Sequence, residues 1–500
     1  MPAGFGAALV ALQLVTAAPA GAVVTCTLDP STHTAKADVT PDAISVTIAR
    51  SGSNNVTVGG VSCGSVTAVD RVDMNLNDGL TFVDFNIANG ALGPGFTPES
   101  DGSGEIEFVL SNVPTSPFIS VTGGAGPDHV TAGMGFVFGI PIGERINLNA
   151  TADGGTPDAD VGIPSLTGSI ELRGNGDHDI LSGQGTGGTS AGPLTAPLRV
   201  FDGPGADTVI GGNGSDEFQQ GTSPDAGDTF AGKAGSDTIV YPATLAMTLT
   251  QDGLANDGSS NEHDNLGGDI ERIVTGPGGD TIVGGPGAQF IDGGTGENSI
   301  SGGPGNDILT AGTGGDTFHG GKGRDLVSYA TRATSIDVTF DGTANDGAQS
   351  EGDNVLADVE GAVGSHAGDQ LTGGTKTNWL YGNEGDDVVV GGGGNDHLFG
   401  SGPMALVGLP NQDGSDVFFG GPGKDTVDES NHAGDLDLSL DGAKNDQVTG
   451  HPEQGVDNIH PDVEDVIGGG GDDEIVGSNA ANRLVGGAGK DQLSGSGAAD

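Results

Sequence analysis

The sequence repeats itself every nine residues over most of its length. Residues 302–328 contain three consecutive units, GGPGNDILT, AGTGGDTFH and GGKGRDLVS. Each unit has glycine near its start, an aspartate at its sixth place and a large apolar residue at its eighth place. A short fixed period indicates a stack of small structural units, each of which packs only on its neighbours.

Alignment of 19 such units between residues 123 and 500 shows which places are constrained. The eighth place is apolar in every unit, and the sixth place is aspartate in 15 of them. The other four sixth-place residues are Gln289, Asn298, Asn378 and Asn482. One apolar side chain after a glycine-rich turn predicts one short strand per unit. Two units then form one coil, and stacked coils build two parallel sheets.

The spacing of the sixth-place residues predicts metal binding. Units two apart lie on the same edge of the stack, so carboxylates 18 residues apart face each other, as in Asp307 with Asp325, Asp369 with Asp387, and Asp473 with Asp491. Such pairs repel unless a cation lies between them. Ca²⁺ accepts oxygen ligands in flexible geometry, whereas Mg²⁺ requires a tighter octahedron. We therefore expect multiple Ca²⁺ ions, whose binding free energy contributes to folding.

The candidate ligands are the sixth-place aspartates and asparagines. They are Asp128, Asp207, Asp216, Asp237, Asp280, Asn298, Asp307, Asp316, Asp325, Asp369, Asn378, Asp387, Asp396, Asp416, Asp425, Asp473, Asn482, Asp491 and Asp500. The last unit stops at Asp500, its own sixth place, so we expect a truncated repeat there.

GGPGNDILT, GGKGRDLVS and their kin resemble the hemolysin-type calcium-binding repeats of secreted bacterial RTX proteins. The resemblance covers roughly residues 125–500, apart from three interruptions. It implies an all-β fold made of right-handed parallel β-roll segments with Ca²⁺ in the turns. It also implies that the chain folds outside the cell, where calcium is plentiful.

Composition excludes several partners. The chain has 69 acidic and 16 basic residues and a formal net charge of -53. No cationic surface is available for nucleic acid or for an anionic membrane. With 97 glycines and 4% aromatic residues in 500, a conventional large core is excluded too, and a repeat that needs little core per residue is favoured.

The N-terminal part differs from the repeats. Residues 1–22 have an apolar stretch and a small-residue ending, which is typical of a secretory signal peptide, and no later apolar run is long enough to span a bilayer. The sequence pattern of residues 23–122 predicts a small β domain. Its two cysteines, Cys26 and Cys63, are expected to form one disulfide in an exported chain, the alternative being two free thiols.

The remaining chain divides into repeats and interruptions. Degenerate repeats occupy 123–240, and regular ones occupy 275–328, 364–428 and 468–500. Each interruption, at 241–274, 329–363 and 429–467, has an alternating strand, then Asp-Gly, Asn-Asp, Asp-Asn and Asp-Ile/Val-Glu. Its acidic loop either holds calcium or is a solvated turn. Both alternatives stay open.

No reaction is predicted. The zinc-protease pattern H-E-x-x-H is absent, and the G-x-S-x-G at 188–192 lies in a Gly/Ser-rich loop rather than between a strand and a helix.

We expect the histidines within repeats, His129, His319 and His397, to face solvent. The ninth-place aromatics Tyr381 and Phe399 should stack on an outer face near Trp379, either as a binding patch or as a ladder under a neighbouring loop.

The sequence thus predicts a secreted, extracellular calcium-binding protein without catalytic activity and with a structural or adhesive role. Its cell-surface or matrix ligand is not specified. The alternative is an accessory region of an exported enzyme or toxin whose active domain lies elsewhere.

Overall fold

The computed structural model describes the strands within residues 24–163 and, in addition, residues 170–174, 178–184, 192–221, 227–310, 312–403, 414–449 and 455–497. All regular structure in these ranges is β-strand. Among the residues described, no helix is long and apolar enough to cross a membrane. The chain forms two compact units, residues 1–203 with 211–214, and residues 204–210 with 215–500.

The first unit contains sixteen strands within its described residues. Parallel pairing predominates, and antiparallel hairpins occur at β1–β2, β3–β4–β5 and β10–β11–β12. Parallel pairing is found on both sides of residue 122, since β9 pairs with β13. The strands are β1 Val24–Asp29, β2 Thr34–Val39, β3 Ser45–Arg50, β4 Asn55–Val58, β5 Val61–Ser65, β6 Arg71–Leu76, β7 Phe82–Asn86, β8 Glu107–Ser111, β9 Phe118–Thr122, β10 His129–Val137, β11 Ile140–Asn147, β12 Val161–Ile163, β13 Ile170–Arg173, β14 Ile180–Ser182, β15 Gly192–Pro193 and β16 Leu198–Phe201.

In the second unit one sheet runs through all the repeats. We call it the long sheet. Its neighbouring strands are parallel throughout. In order they are β18 Glu217–Gln219, β20 Thr238–Tyr241, β23 Arg272–Thr275, β25 Phe290–Asp292, β27 Ile308–Thr310, β29 Leu326–Ser328, β33 Gly361–Val363, β35 Trp379–Tyr381, β37 His397–Phe399, β39 Thr426–Asp428, β43 Asp465–Ile467 and β45 Arg483–Val485.

Within the second unit, the strands that alternate with those of the long sheet fall into four successive sets of paired strands, which we call short sheets. The first has β17 Thr208–Ile210, β19 Thr229–Ala231 and β22 Asn265–Leu266. The second has β21 Thr248–Thr250, β24 Thr281–Val283, β26 Ser299–Pro304, β28 Thr317–Lys322 and β32 Asn354–Val355. The third has β30 Ile336–Thr339, β31 Gly347–Ala348, β34 Gln370–Thr372, β36 Val388–Val390, β38 Val417–Phe419 and β42 Asn458–Ile459. The fourth has β40 Leu436–Ser439, β41 Gln447–Val448, β44 Glu474–Val476 and β46 Gln492–Ser494.

This arrangement confirms the all-β parallel roll with two nine-residue units per coil. Residues 18 positions apart pair directly, as Ile282 with Ile300 and Leu309 with Val327. The eighth-place side chains lie between the sheets and form the core, fully buried in the middle of the unit. Near the C-terminal end the eighth-place side chain becomes exposed to solvent, and Leu493 is 47% exposed.

Each interruption ends one short sheet and begins the next while the long sheet continues. In the second interruption β32 pairs with β28 as the last strand of its sheet, and β30 begins the following sheet against β34. The alternating strands predicted there are present, but the first of them begins late. Met247 and Leu249 are buried, whereas Leu245 is 45% exposed because it lies in the bend before this strand.

Candidate metal-binding ladders

The sixth-place side chains join successive coils through their first carboxylate oxygen. The Oδ1 atom of Asp325 accepts a hydrogen bond of 2.9 Å from the backbone N–H of Asp307, one coil earlier. We call each such run of bonds a ladder and each of its sixth-place residues a rung. The same bond joins Asp280 to Asn298, Gln289 to Asp307, Asn298 to Asp316, Asp369 to Asp387, Asn378 to Asp396, and Asp473 to Asp491.

Where residues are inserted, the ladder continues across the longer spacing. Oδ1 of Asp416 and of Asp425 accepts from the N–H of the residue 29 positions earlier, Asp387 and Asp396. Further up the chain the same bond joins Asp216 to Asp237 across 21 positions. The ladder therefore follows the stacking of coils and not a fixed count of residues.

All the predicted ligands that the structure describes take part in ladders or lie at the ladder position, and Asp128 and Asp500 fall outside the described residues. The three predicted pairs are brought together, each by a carboxylate on a backbone N–H. The described sixth-place side chains are at most 7% exposed, except that of Asp491, which is half-buried.

The second oxygen of a rung points toward the start of its own unit. At Gly320 the point where a Cβ would lie is 2.7 Å from Oδ2 of Asp325 and 2.4 Å from the carbonyl oxygen of Asp358. At Gly391 the corresponding distances, to Oδ2 of Asp396 and to the carbonyl of Gly420, are 2.7 and 2.6 Å. A carboxylate oxygen and a carbonyl oxygen thus converge beside each of these first-place glycines.

The fourth place of the unit also brings oxygens together. At Gly305 the point where a Cβ would lie is 2.2 Å from the carbonyl of Gly287 and 2.4 Å from Oδ1 of Asp307. In some units glycine also suits the backbone at this place, since Gly394 has φ +133°. The turns therefore present rows of carbonyl oxygens alongside the carboxylates.

Several rungs have an Oδ2 atom that is buried and has no hydrogen-bond donor among the described residues. These atoms belong to Asp237, Asp307, Asp325, Asp396 and Asp425. A buried carboxylate oxygen without a partner is unfavourable, so each needs a proton or a cation.

Burial raises the pKa of these carboxyl groups. It raises the pKa of Asp307 to about 6 and that of Asp396 to about 7, against the opposing effect of the ladder hydrogen bond. The neighbouring rung adds like-charge repulsion, Asp325 acting on Asp307 and Asp425 on Asp396. Burial likewise raises the pKa of Asp325.

These carboxylate and carbonyl oxygens are suitable ligands for calcium. Within the described ranges no three His, Cys, Asp or Glu side chains form a metal cluster, so most ligands of a bound ion would be carbonyl oxygens of the turns. Ca²⁺ takes six to eight oxygen ligands from carboxylates and backbone carbonyls in flexible geometry. The rungs with an unpartnered Oδ2 would supply the charge, and the glycine-rich turns the neutral oxygens.

The glutamate of each Asp-Ile/Val-Glu continues the ladder of the long sheet through an interruption, which the sequence analysis missed. Its Oε2 atom takes the place of a sixth-place Oδ1. The bonds run from the N–H of Asp237 to Glu271, 2.8 Å, of Asp325 to Glu360, 3.2 Å, and of Asp425 to Glu464, 2.9 Å.

A signal for these glutamates was present in the sequence. Three of the four amide exceptions, Gln289, Asn378 and Asn482, stand 18 residues after the three glutamates. The Nδ2 atom of Asn378 donates to the carbonyl of Glu360, 3.1 Å. An amide can make this bond to the preceding coil, whereas a carboxylate has no N–H to donate. An 18-residue alignment that spanned the interruptions would have identified the glutamates as rungs.

The Asn-Asp of each interruption has a structural role that neither alternative for the loop included. Asp346 is 1% exposed. Its Oδ1 accepts from the N–H and hydroxyl of Thr339, 2.7 and 3.0 Å, and its Oδ2 from the N–H of Val355, 2.8 Å. It therefore ties the first strand of one short sheet to the last strand of the preceding one. Asp257 and Asp446 make the same bonds.

The Asp-Gly aspartate of the same loop behaves as a solvated turn residue. Asp341 is exposed, and its Oδ1 atom accepts from the N–H of Thr343, 2.8 Å, within its own turn.

Of the histidines expected to face solvent, His319 is exposed, but His397 stacks on Trp379 with ring centroids 5.2 Å apart.

Substitution at the first place should impair calcium binding more than substitution at the third place of the same unit. In Gly391→Ala the new Cβ would lie 2.6 Å from the carbonyl of Gly420 and 2.7 Å from Oδ2 of Asp396. In the control, Gly393→Ala, the nearest atom is 3.8 Å away. Calcium titration followed by circular dichroism should show a higher midpoint for Gly391→Ala alone, and equal midpoints would contradict the first-place site.

The raised pKa values predict an inverted pH dependence without metal. A native carboxyl with its pKa raised to about 7, as for Asp237 and Asp396, binds more protons than the unfolded chain between pH 4 and 7. The free energy of unfolding in EDTA should therefore fall as pH rises from 5 to 8. In saturating calcium it should rise, because the ligands must be deprotonated. Far-UV circular dichroism at pH 5 and pH 8 checks the EDTA arm, where the β signal should be larger at pH 5, and urea unfolding checks the calcium arm. The same direction of change with pH in both buffers would contradict the prediction.

Comparison with known families supports the geometry. Six overlapping or separate stretches match the family model described as RTX calcium-binding nonapeptide repeat (4 copies): residues 199–218, 267–300, 292–327, 364–402, 412–428 and 467–500. No curated protein matches the chain significantly. The matched stretches contain most of the ladder rungs of the long and short sheets. The chain therefore carries RTX calcium-binding nonapeptide repeats.

Proposed function

We propose that the chain is a secreted protein that folds when it binds Ca²⁺ outside the cell and has a structural or adhesive role. The observation that carries the proposal is the set of ladder carboxylates that are buried, raised in pKa and unpartnered at Oδ2. At neutral pH such a fold holds many charges with few counter-charges, because the chain has only 16 basic residues.

The energetics favour coupled binding and folding. A single coil buries little, so the roll depends on stacking. Stacking places a carboxylate on every coil next to that of the coil before it, which opposes the fold unless cations are present. A ligand that binds the folded chain alone stabilises it by mass action. Millimolar extracellular calcium is the concentration range in which weak oxygen-ligand sites of extracellular modules fill.

The outer face of the long sheet supports the structural or adhesive part of the proposal. Tyr381 and Phe399 stack with ring centroids 4.3 Å apart, and Trp379 stacks on His397. The guanidinium of Arg324 lies 5.0 Å from the Trp379 ring. Stacked partly exposed rings stiffen the sheet and offer apolar contact area to a partner. We propose no catalytic role, since H-E-x-x-H is absent from the sequence and the G-x-S-x-G at 188–192 lies in a Gly/Ser-rich stretch.

The proposal includes export of the chain. It rests on the signal-like residues 1–22 and on the cysteine pair. Cys26 lies in β1 and Cys63 in β5, and these two strands lie beside each other. Intact mass spectrometry of protein collected outside the producing cell should give a chain that starts at Val23 and is lighter by two hydrogen atoms than the dithiol. A retained leader or a dithiol mass would contradict export by this route.

Calcium should induce the fold. When CaCl₂ is titrated into EDTA-stripped full-length chain, far-UV circular dichroism should show a cooperative gain of β signal at about 10⁻⁴–10⁻³ M, with little change in MgCl₂. Asp307→Asn should raise the calcium midpoint, because Oδ2 of Asp307 is buried and unpartnered.

The matched control is Asp337→Asn, which removes the same charge from an exposed side chain on β30. It should leave the calcium midpoint near that of the wild type. A spectrum already rich in β signal in EDTA, or one that stays unfolded in excess calcium, would refute metal-coupled folding.

A further inference from the structure

Two short sheets end in a rung whose second carboxylate oxygen accepts from a buried tyrosine hydroxyl. Asp353 closes the ladder of the second short sheet, and its Oδ1 atom accepts from the N–H of Asp316, 2.8 Å, as in an ordinary rung. Its Oδ2 atom accepts from the hydroxyl of Tyr329, 2.9 Å. Both side chains are fully buried. In Asp307 the same oxygen has no donor among the described residues.

The chain also supplies a cation at this rung. The Arg332 guanidinium forms a two-oxygen ion pair with Glu351, at 2.6 and 2.8 Å, and lies 5.6 Å from the centre of the Tyr329 ring. Burial raises the pKa of Asp353 to about 6, and the hydrogen bonds from Asp316 and Tyr329 and the Arg332 charge oppose this. A carboxylate that accepts a hydrogen bond on each oxygen has no oxygen left without a donor, so Asp353 has less need of a metal ion than Asp307.

The turn before Asp353 lacks the glycines that expose carbonyl oxygens. Counting back from the sixth place, the first place is Ala348 and the fourth is Glu351. The Glu351 side chain accepts from the N–H of Ala348, 2.8 Å, and its own N–H donates to the carbonyl of Ala348, 3.0 Å. The polar groups of Glu351 and Ala348 in this turn therefore bond to each other.

The other interruptions provide an internal comparison. Asp264, at the end of the first short sheet, accepts from the hydroxyl of Tyr241, 3.0 Å, and its fourth place is Glu262. In the third interruption Glu429 stands at the tyrosine position, and the fourth place before Asp457 is glycine, Gly455, with φ +90°. Tyrosine thus occurs where the fourth-place glycine is lost, and glycine occurs where the tyrosine is absent.

We infer that Asp264 and Asp353 are calcium-free end rungs, in which a tyrosine hydroxyl occupies the oxygen that a metal ion would otherwise neutralise. The inference rests on the proposed function, since it divides a calcium array whose existence that proposal asserts. Each of these two rungs therefore ends the row of calcium ions of its short sheet. Hydrogen bonds within the protein, without a metal ion, hold the end of that sheet.

Native mass spectrometry of the full-length chain with calcium tests the inference. Asp353→Asn should retain the maximum calcium count of the wild type, whereas the matched Asp307→Asn should lose at least one ion. Both variants remove one buried ladder carboxylate, so only the role of the rung differs. Loss of an ion in Asp353→Asn to the same extent as in Asp307→Asn would overturn the inference.

Tyr329→Phe provides a second readout if Asp353→Asn does not fold. It should keep the wild-type calcium count and lower the urea midpoint in saturating calcium, because Oδ2 of Asp353 loses its donor. A gain of one ion in Tyr329→Phe would overturn the inference, since it would show that the rung can take metal. A wild-type chain that takes up no calcium would instead refute the proposed function, a result distinct from either.

Discussion

The roll depends on one hydrogen bond repeated along its edges, from the backbone N–H of a sixth-place residue to the carboxylate of the next coil. This bond satisfies a backbone donor at the end of each glycine-rich turn, which would otherwise be buried without a partner. It also forces a carboxylate into a buried position on every coil. In ordinary rungs such as Asp325 the second oxygen then lies beside a carbonyl oxygen and needs a proton or a cation. Folding and calcium binding follow from the same contact.

The interruptions preserve this contact while they change the sheet. On the long sheet Glu360 replaces a sixth-place aspartate and keeps the ladder continuous. On the other side Asp353 ends one short sheet, and Asp346 ties that sheet to the next. The interruptions are thus specialised coils of the same roll and not separate domains inserted into it.

Much of the fold could be predicted from the sequence because the period is short and strict. An apolar residue at every eighth place, as in Leu309, can only be buried if successive units face inward, so two units per coil and the pairing across 18 residues follow. The pairing of Asp307 with Asp325 follows from the same period. The role of Glu271, Glu360 and Glu464 did not follow, because they stand outside the nine-residue template. The exposure of Leu245 was also unexpected, since alternation alone does not show where a strand begins.

The sequence by itself determined the strands, their parallel stacking, the inward residues and the row of carboxylates, because each of these depends on a local pattern repeated at a fixed interval. Only the tertiary structure decided which carboxylate oxygen is satisfied by the chain and which is left for a cation. Asp325 and Asp353 are both sixth-place aspartates, yet one faces the carbonyl of Asp358 and the other the hydroxyl of Tyr329. That difference depends on residues distant in sequence, whose positions are set by how one coil packs on the next.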